Sequence, residues 1–248
     1  MRLVFGLPLR QAEGFLRSLF GLMGVDLQVP DHTTLSRRGR GLGIRLRNSA
    51  SAGPIHLIVD STGLSTVGEG EWAAAKHGGK GRRGWKKLHL GVDGAGVIAA
   101  QSLTQGNADD ANEGLVLLDS TDQAVKSFTG DGAYDSVAIY KAASERGARV
   151  VVPPSKAVRN SRRRKPRSAK RDRTIRRVQK VGRRRWKKES GYHRQGRVEN
   201  TFCRWKSIMG GKLRAHHKDA QSTEALLVCN ILNRMFELGR PRSVAVPR

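Results

Sequence analysis

Twice in this chain a short apolar, β-branched run delivers an aspartate into a glycine-bearing turn. Ile55, Leu57, Ile58 and Val59 lead into Asp60, followed by Ser61, Thr62 and Gly63. Farther along, a run over 124–129 leads into Gly130, Asp131 and Gly132. Runs of this length and composition read as strands. An acid where the chain leaves the sheet is held rigidly yet faces solvent, which suits a metal ligand. Aspartate also simply starts turns, so on either stretch alone both readings stand.

What lies between and after the two runs sets the fold class. A strand over 85–92 is followed by Asp93-Gly94, a tight-turn dipeptide, and a return strand over 97–103. With the first run this makes three successive strands, an antiparallel meander. Asp109, Asp110 and Asn112 cap a helix over 111–118, and the fourth strand ends at Asp131. Ser136 opens a helix over 137–146 closed by Gly147. A fifth strand over 149–152 stops at Pro153-Pro154. A meander followed by alternating strand and helix predicts an α/β fold, a mixed five-stranded sheet flanked by helices.

Ahead of it, residues 1–50 read as a small helical region. Leu9, Phe15, Leu16, Leu19 and Phe20 share a helix face, and Asp31 is placed to cap a second helix carrying Arg37 and Arg38. A helix-turn-helix DNA-binding region and a plain two-helix packing module both fit. The abrupt apolar start after Met1 raises the expectation of further chain upstream.

Charge narrows the partner. The chain has 47 Lys and Arg against 21 Asp and Glu, a formal net charge of +26. A balance of this kind favours nucleic acid, because each neutralised phosphate releases counterions. No long apolar span or secretory segment supports a membrane alternative, so a cytoplasmic, nucleoid-associated protein is expected. Two places concentrate the charge. A glycine-rich loop carries Lys80, Arg82 and Arg83, suited to phosphates. The stretch 156–188 holds 18 basic residues and one acid, Asp172, a density that predicts disorder or marginal helix when free. Cys203 and Cys229 lack ligand spacing and read as reduced core or near-core thiols.

The last structured part, 191–238, contains two helices. Val198, Phe202, Trp205 and Met209 form one apolar stripe, and Glu199 and Lys206 lie along a shared edge beside it. Ser222 to Leu238 reads as a core helix. With strands one and four side by side and a C-terminal helix across them, Asp60, Asp131 and Glu199 would meet. Clustered carboxylates repel, and Mg²⁺ or Mn²⁺ removes that penalty.

IVDSTGL, GDGAYD and YHRQGRVENTFCRWKSIMG, in that order, resemble the DDE transposases of bacterial insertion sequences, and most nearly the insertion-sequence-five family. The likeness extends from about Phe5 to Pro241, with 51–241 as the catalytic domain, 156–188 as its basic insertion and 242–248 as a tail. The resemblance implies an RNase H-like fold with Asp60, Asp131 and Glu199 as catalytic, metal-binding triad. It implies metal-dependent cleavage at inverted-repeat ends and strand transfer to target DNA, by a homodimer on double-stranded DNA. In such enzymes the third block reads Tyr, two residues, Arg, three residues, Glu, six residues, Lys. Tyr192, Glu199 and Lys206 fit; Gln195 stands at the Arg position, flanked by Arg194 and Arg197. Tyr192, Arg194, Arg197 and Lys206 are the DNA contacts expected from this block. Two further readings stand beside the transposase: another RNase H-like metal nuclease, and a degenerate copy that only binds DNA.

Overall fold

The strand that carries Asp60 does not end there. In a computed structural model, which describes residues 1–47, 53–66, 85–155 and 168–239, β1 runs from Ile55 to Thr66. The reason lies in its neighbours. On one side β1 pairs parallel with β4 (Val125–Thr129) only as far as Ile58, which faces Thr129. On the other it pairs antiparallel with β2 (Trp85–Val92) all the way from Ile58 to Ser65. The ladder to β2 therefore keeps β1 extended after β4 stops, and the short β6 (Lys212–Leu213) picks up the vacated edge at Ser65 and Thr66. Asp60 sits mid-strand, at the gap where the parallel neighbour is lost.

β3 (Ile98–Gln105) completes the meander, and β5 (Arg149–Val151) pairs parallel with β4. The order β3-β2-β1-β4-β5, with β6 attached to β1, is the expected mixed sheet plus one two-residue strand. The hairpin turn is longer than an Asp-Gly pair. The buried Asp93 accepts from the backbone N–H groups of Ala95, Gly96 and Val97 at 2.8, 2.8 and 2.9 Å, so its carboxylate organises the loop up to β3.

Alternation along β1 splits the core into two layers. Ile58, Leu64, Leu88, Leu90 and Val92 face α7 (Gly196–Met209) and α8 (Lys218–Glu237), meeting Val198, Phe202, Trp205, Val228 and Leu232. Leu57 and Val59 point the other way, toward Leu117 and Leu118 of α3 (Asp110–Asp119) and Ile139 and Ala143 of α4 (Val137–Glu145). α8 is more than an apolar slab. Its buried Asn233 accepts from Ile98 N–H and donates to the Ile98 and Arg47 carbonyls at 2.8–2.9 Å, stapling the start of β3. Cys229 is buried there, whereas Cys203 on α7 is exposed.

At the N-terminus α1 (Leu9–Leu22) and α2 (His32–Arg38) form, and Asp31 caps α2 through Thr33 and Thr34 N–H. Glu13 ties the two by accepting from His32 N–H at 2.9 Å. The connection, residues 23–31, is longer than the roughly three- to four-residue turn of a helix-turn-helix.

Part of the basic insertion is helical and docked. Residues 156–167 lie outside the described residues, but from Ser168 onward the chain forms α5 (Ala169–Val181) and α6 (Arg183–Ser190). Val178 and Trp186 bury against Val151 of β5. Arg177 and Arg185 both pair with Glu189. A few apolar anchors and paired charges thus offset the like-charge repulsion that argued against a fixed structure here.

Candidate active site at the β1–β4 gap

Because Ile58 faces Thr129 in a parallel ladder, Asp60 and Asp131 each lie two residues beyond the last pair. The register thus brings both positions to the same distance past the end of the ladder. The polypeptide leaves β4 through the 3-10 turn Gly132–Tyr134, and Asp131 caps it by accepting from Ala133 N–H at 2.9 Å. Asp60 accepts from Ser61 N–H at 2.8 Å. In both residues one carboxylate oxygen is fixed by backbone, and the other has no hydrogen-bond or ion-pair partner among the described residues.

Glu199 arrives on α7, which is laid across β1 by Val198, Phe202 and Trp205. The register of that helix is set by Gln195. Its side chain is buried, and its Nε2 donates to the Val59 carbonyl at 3.1 Å. Val59 precedes Asp60, and Gln195 precedes Glu199 by one helical turn. The position that holds Arg in the resembling block is therefore an internal strut in this chain. We expect Gln195→Ala to lower the melting temperature modestly, by an amount matching about 1–2 kcal/mol. An unchanged melting temperature would remove the strut.

Electrostatics report the same proximity. Burial pushes the Asp60 carboxyl up to about 6; the Ser61 N–H opposes this, and the negative charges of Asp131, Glu199 and Asp110 reinforce it. Tyr192, in the 3-10 turn ahead of α7, is pushed up to about 12 by burial and then by Asp131, Asp60 and Glu199. Asp131 and Glu199 thus act on Asp60, and all three predicted acids act on Tyr192. Among the described residues, no three His, Cys, Asp or Glu side chains form a ready-made metal cage. The donor set is nonetheless all carboxylate, with one uncommitted oxygen on each Asp. That suits a hard divalent ion, which takes few protein carboxylates and fills its shell with water and phosphate oxygens.

The basic candidates scatter. Lys206 is exposed two turns along α7 from Glu199, on the same side. Arg194 is drawn elsewhere, its Nη1 standing 3.0 and 3.2 Å from the ring nitrogens of His56. His56 lies four residues before Asp60 on β1, about 13 Å along the strand. Arg197 is exposed beside the β2–β3 turn, lining a groove with Ala95 and Gly96. Arg37 and Arg38 are exposed on the last turn of α2. Lys80, Arg82 and Arg83 lie outside the described residues.

Two acids do more than their sequence positions indicate. Asp109 caps α3 through Asn112 N–H, but Asp110 turns to Lys87 Nζ at 2.6 Å and lies 3.5 Å from Nδ1 of the fully buried His89. Asp135 is a buried hub for Arg171 and Ser155. Neither role could be read locally, since the partners are remote in sequence.

A mixed sheet ordered β3-β2-β1-β4-β5 with helices on both faces is an RNase H-like α/β fold. A family model described as Transposase DDE domain matches residues 51–234, and a second model of the same description matches residues 1–69. The chain belongs to the Transposase DDE domain family. It is accordingly an enzyme of DNA transposition and recombination, with DNA as its partner, from a class that generally uses divalent metal ions. Among the described residues no helix is long and apolar enough to cross a membrane.

Proposed function

We propose that this transposase cleaves the inverted-repeat ends of an insertion sequence and joins them to target DNA, with Asp60, Asp131 and Glu199 holding Mg²⁺ or Mn²⁺. The observation that carries the reading is the register of the parallel β1–β4 ladder, which sets Asp60 and Asp131 each two residues past its last pair, with both Asp131 and Glu199 acting electrostatically on Asp60. A bound divalent ion supplies charge neutralisation and activates the attacking oxygen. The residues' own part is positional. The two aspartates each keep one oxygen locked to backbone, so the free oxygens present a fixed face. Tyr192 borders the carboxylates and orients the substrate strand, and exposed Lys206 meets a phosphate beside them.

Water serves as the first nucleophile and a DNA 3′-hydroxyl as the second. Strand transfer is then direct transesterification, and Ser61, Thr62 and Tyr134 need not form a covalent link to DNA. Joining two ends calls for at least two protomers, hence a homodimer on DNA, and a basic chain of this kind associates with the nucleoid. The test uses a duplex carrying the terminal repeat that flanks the coding region. We expect nicking with Mg²⁺ or Mn²⁺ and none with chelator. Binding without nicking under either ion would reduce the chain to a DNA-binding protein.

A further inference from the structure

The buried charge pair between the catalytic-loop segment and the basic insertion has a geometry that neither feature requires alone. Asp135 closes the 3-10 turn that Asp131 opens. Its side chain is fully buried and meets the α5 residue Arg171 in a two-pronged contact, Nε to Oδ1 at 2.7 Å and Nη2 to Oδ2 at 2.8 Å. Ser155 N–H donates to the same Oδ2 at 2.9 Å, so the chain leaving β5 is held there too. Fork-on-carboxylate contacts fix relative orientation as well as distance.

The hairpin of α5 and α6 touches the other side of the site as well. Trp186 of α6 packs against Tyr192, ring centroids 6.2 Å apart, and Lys187 Nζ lies 4.6 Å from that ring. Tyr192 leads into the helix of Glu199. One element therefore contacts both the loop of Asp131 and the entry to Glu199. Its outer surface carries Arg173, Arg176, Lys180, Arg184 and Lys188, all exposed and without a carboxylate partner among the described residues. Such a surface takes a nucleic-acid phosphate backbone.

We propose that the Asp135–Arg171 pair is a positioning latch. It couples the basic α5–α6 hairpin, on which the DNA backbone seats, to the loop carrying Asp131, so that docked phosphates and carboxylates share one rigid frame. The inference rests on the proposed DNA-cleaving function in that it takes DNA as the hairpin's load.

Breaking one partner of a buried pair leaves an uncompensated charge and can unfold a protein, so the full-length R171Q variant is paired with the doubly neutral D135N/R171Q. The primary reading is amide hydrogen exchange across 131–135, with and without a short blunt duplex of arbitrary sequence at low salt. In the unmodified chain, duplex binding slows this exchange about tenfold. In R171Q and in the double variant the duplex still binds within about threefold, because the hairpin keeps its exposed cations. The slowing at 131–135 is then lost. On a repeat-end duplex, cleavage at saturating DNA drops about tenfold with little change in KM. Slowing that persists in the folded double variant overturns the latch, as does a cleavage loss no larger than the loss of binding. Absence of cleavage by the unmodified chain would count against the proposed function alone, since the exchange comparison needs only binding.

Discussion

Asp60→Asn, Asp131→Asn and Glu199→Gln are each expected to reduce cleavage of a repeat-end duplex by about a thousandfold or more while leaving duplex binding nearly intact. Each substitution keeps the side-chain shape and removes one charge from the carboxylate pocket. Binding survives because it draws on the basic surface, not on the acids. A second readout separates this from misfolding. The folded-state pKa of Asp60 is raised to about 6 from an ordinary value of 3.8. A raised carboxyl favours the folded state at low pH, and that advantage is lost as pH rises through about 6. Asp60→Asn escapes the loss, so above that pH the metal-free variant should melt higher than the parent chain. The gap should close as pH falls toward 4. Substantial cleavage by any one of the three variants would remove that residue from the site.

Gly130→Ala should be a strongly destabilising small substitution. A Cβ there would lie 2.8 Å from Cδ2 and 3.0 Å from Cγ of Tyr134, and 3.1 Å from Cγ2 of Val59. The ring cannot retreat. It is 1 % exposed, and its other side is pressed on Gly114 of α3, where an added Cβ would meet Cδ1 at 2.8 Å. Overpacking of this kind costs about 1–3 kcal/mol. We place Gly130→Ala near the upper end, a fall in melting temperature of about 5–10 °C for a chain of this size. The displaced groups adjoin Asp131 on one side and Asp60 on the other, so cleavage should fall with stability. Gly132→Ala is the control: its nearest neighbour would be the Pro153 carbonyl at 3.6 Å, an ordinary contact. Its melting temperature should be nearly unchanged, and equal damage from both substitutions would refute the packing account.

Much of the frame was legible because it is written in local periodicities. The meander, the strand before Asp131, the caps at Asp31, Asp109 and Ser136, and the apolar stripe of α7 all follow from spacing and capping chemistry. The length of β1 was not legible. Ser61, Thr62 and Gly63 look like a turn, and only pairing with β2 and β6 holds them extended. The α5–α6 hairpin escaped for a similar reason. Its sequence is dominated by repulsion, and the anchors that fold it are Val151 and Asp135, both outside the segment.

The sequence alone determined that two strands would each deliver an aspartate, that a later helix would carry a glutamate beside its buried stripe, and that the surface would be strongly cationic. These are properties of single segments, set by side-chain periodicity and charge. Only the tertiary structure decided that β4 lies beside β1 in the register that sets Asp60 and Asp131 each two residues past the last pair, and that Gln195 pins α7 against Val59. The fold also decided that a charged insertion would become a docked hairpin. Such outcomes depend on contacts between residues far apart in the chain, whose energies exist only once the sheet has brought them together.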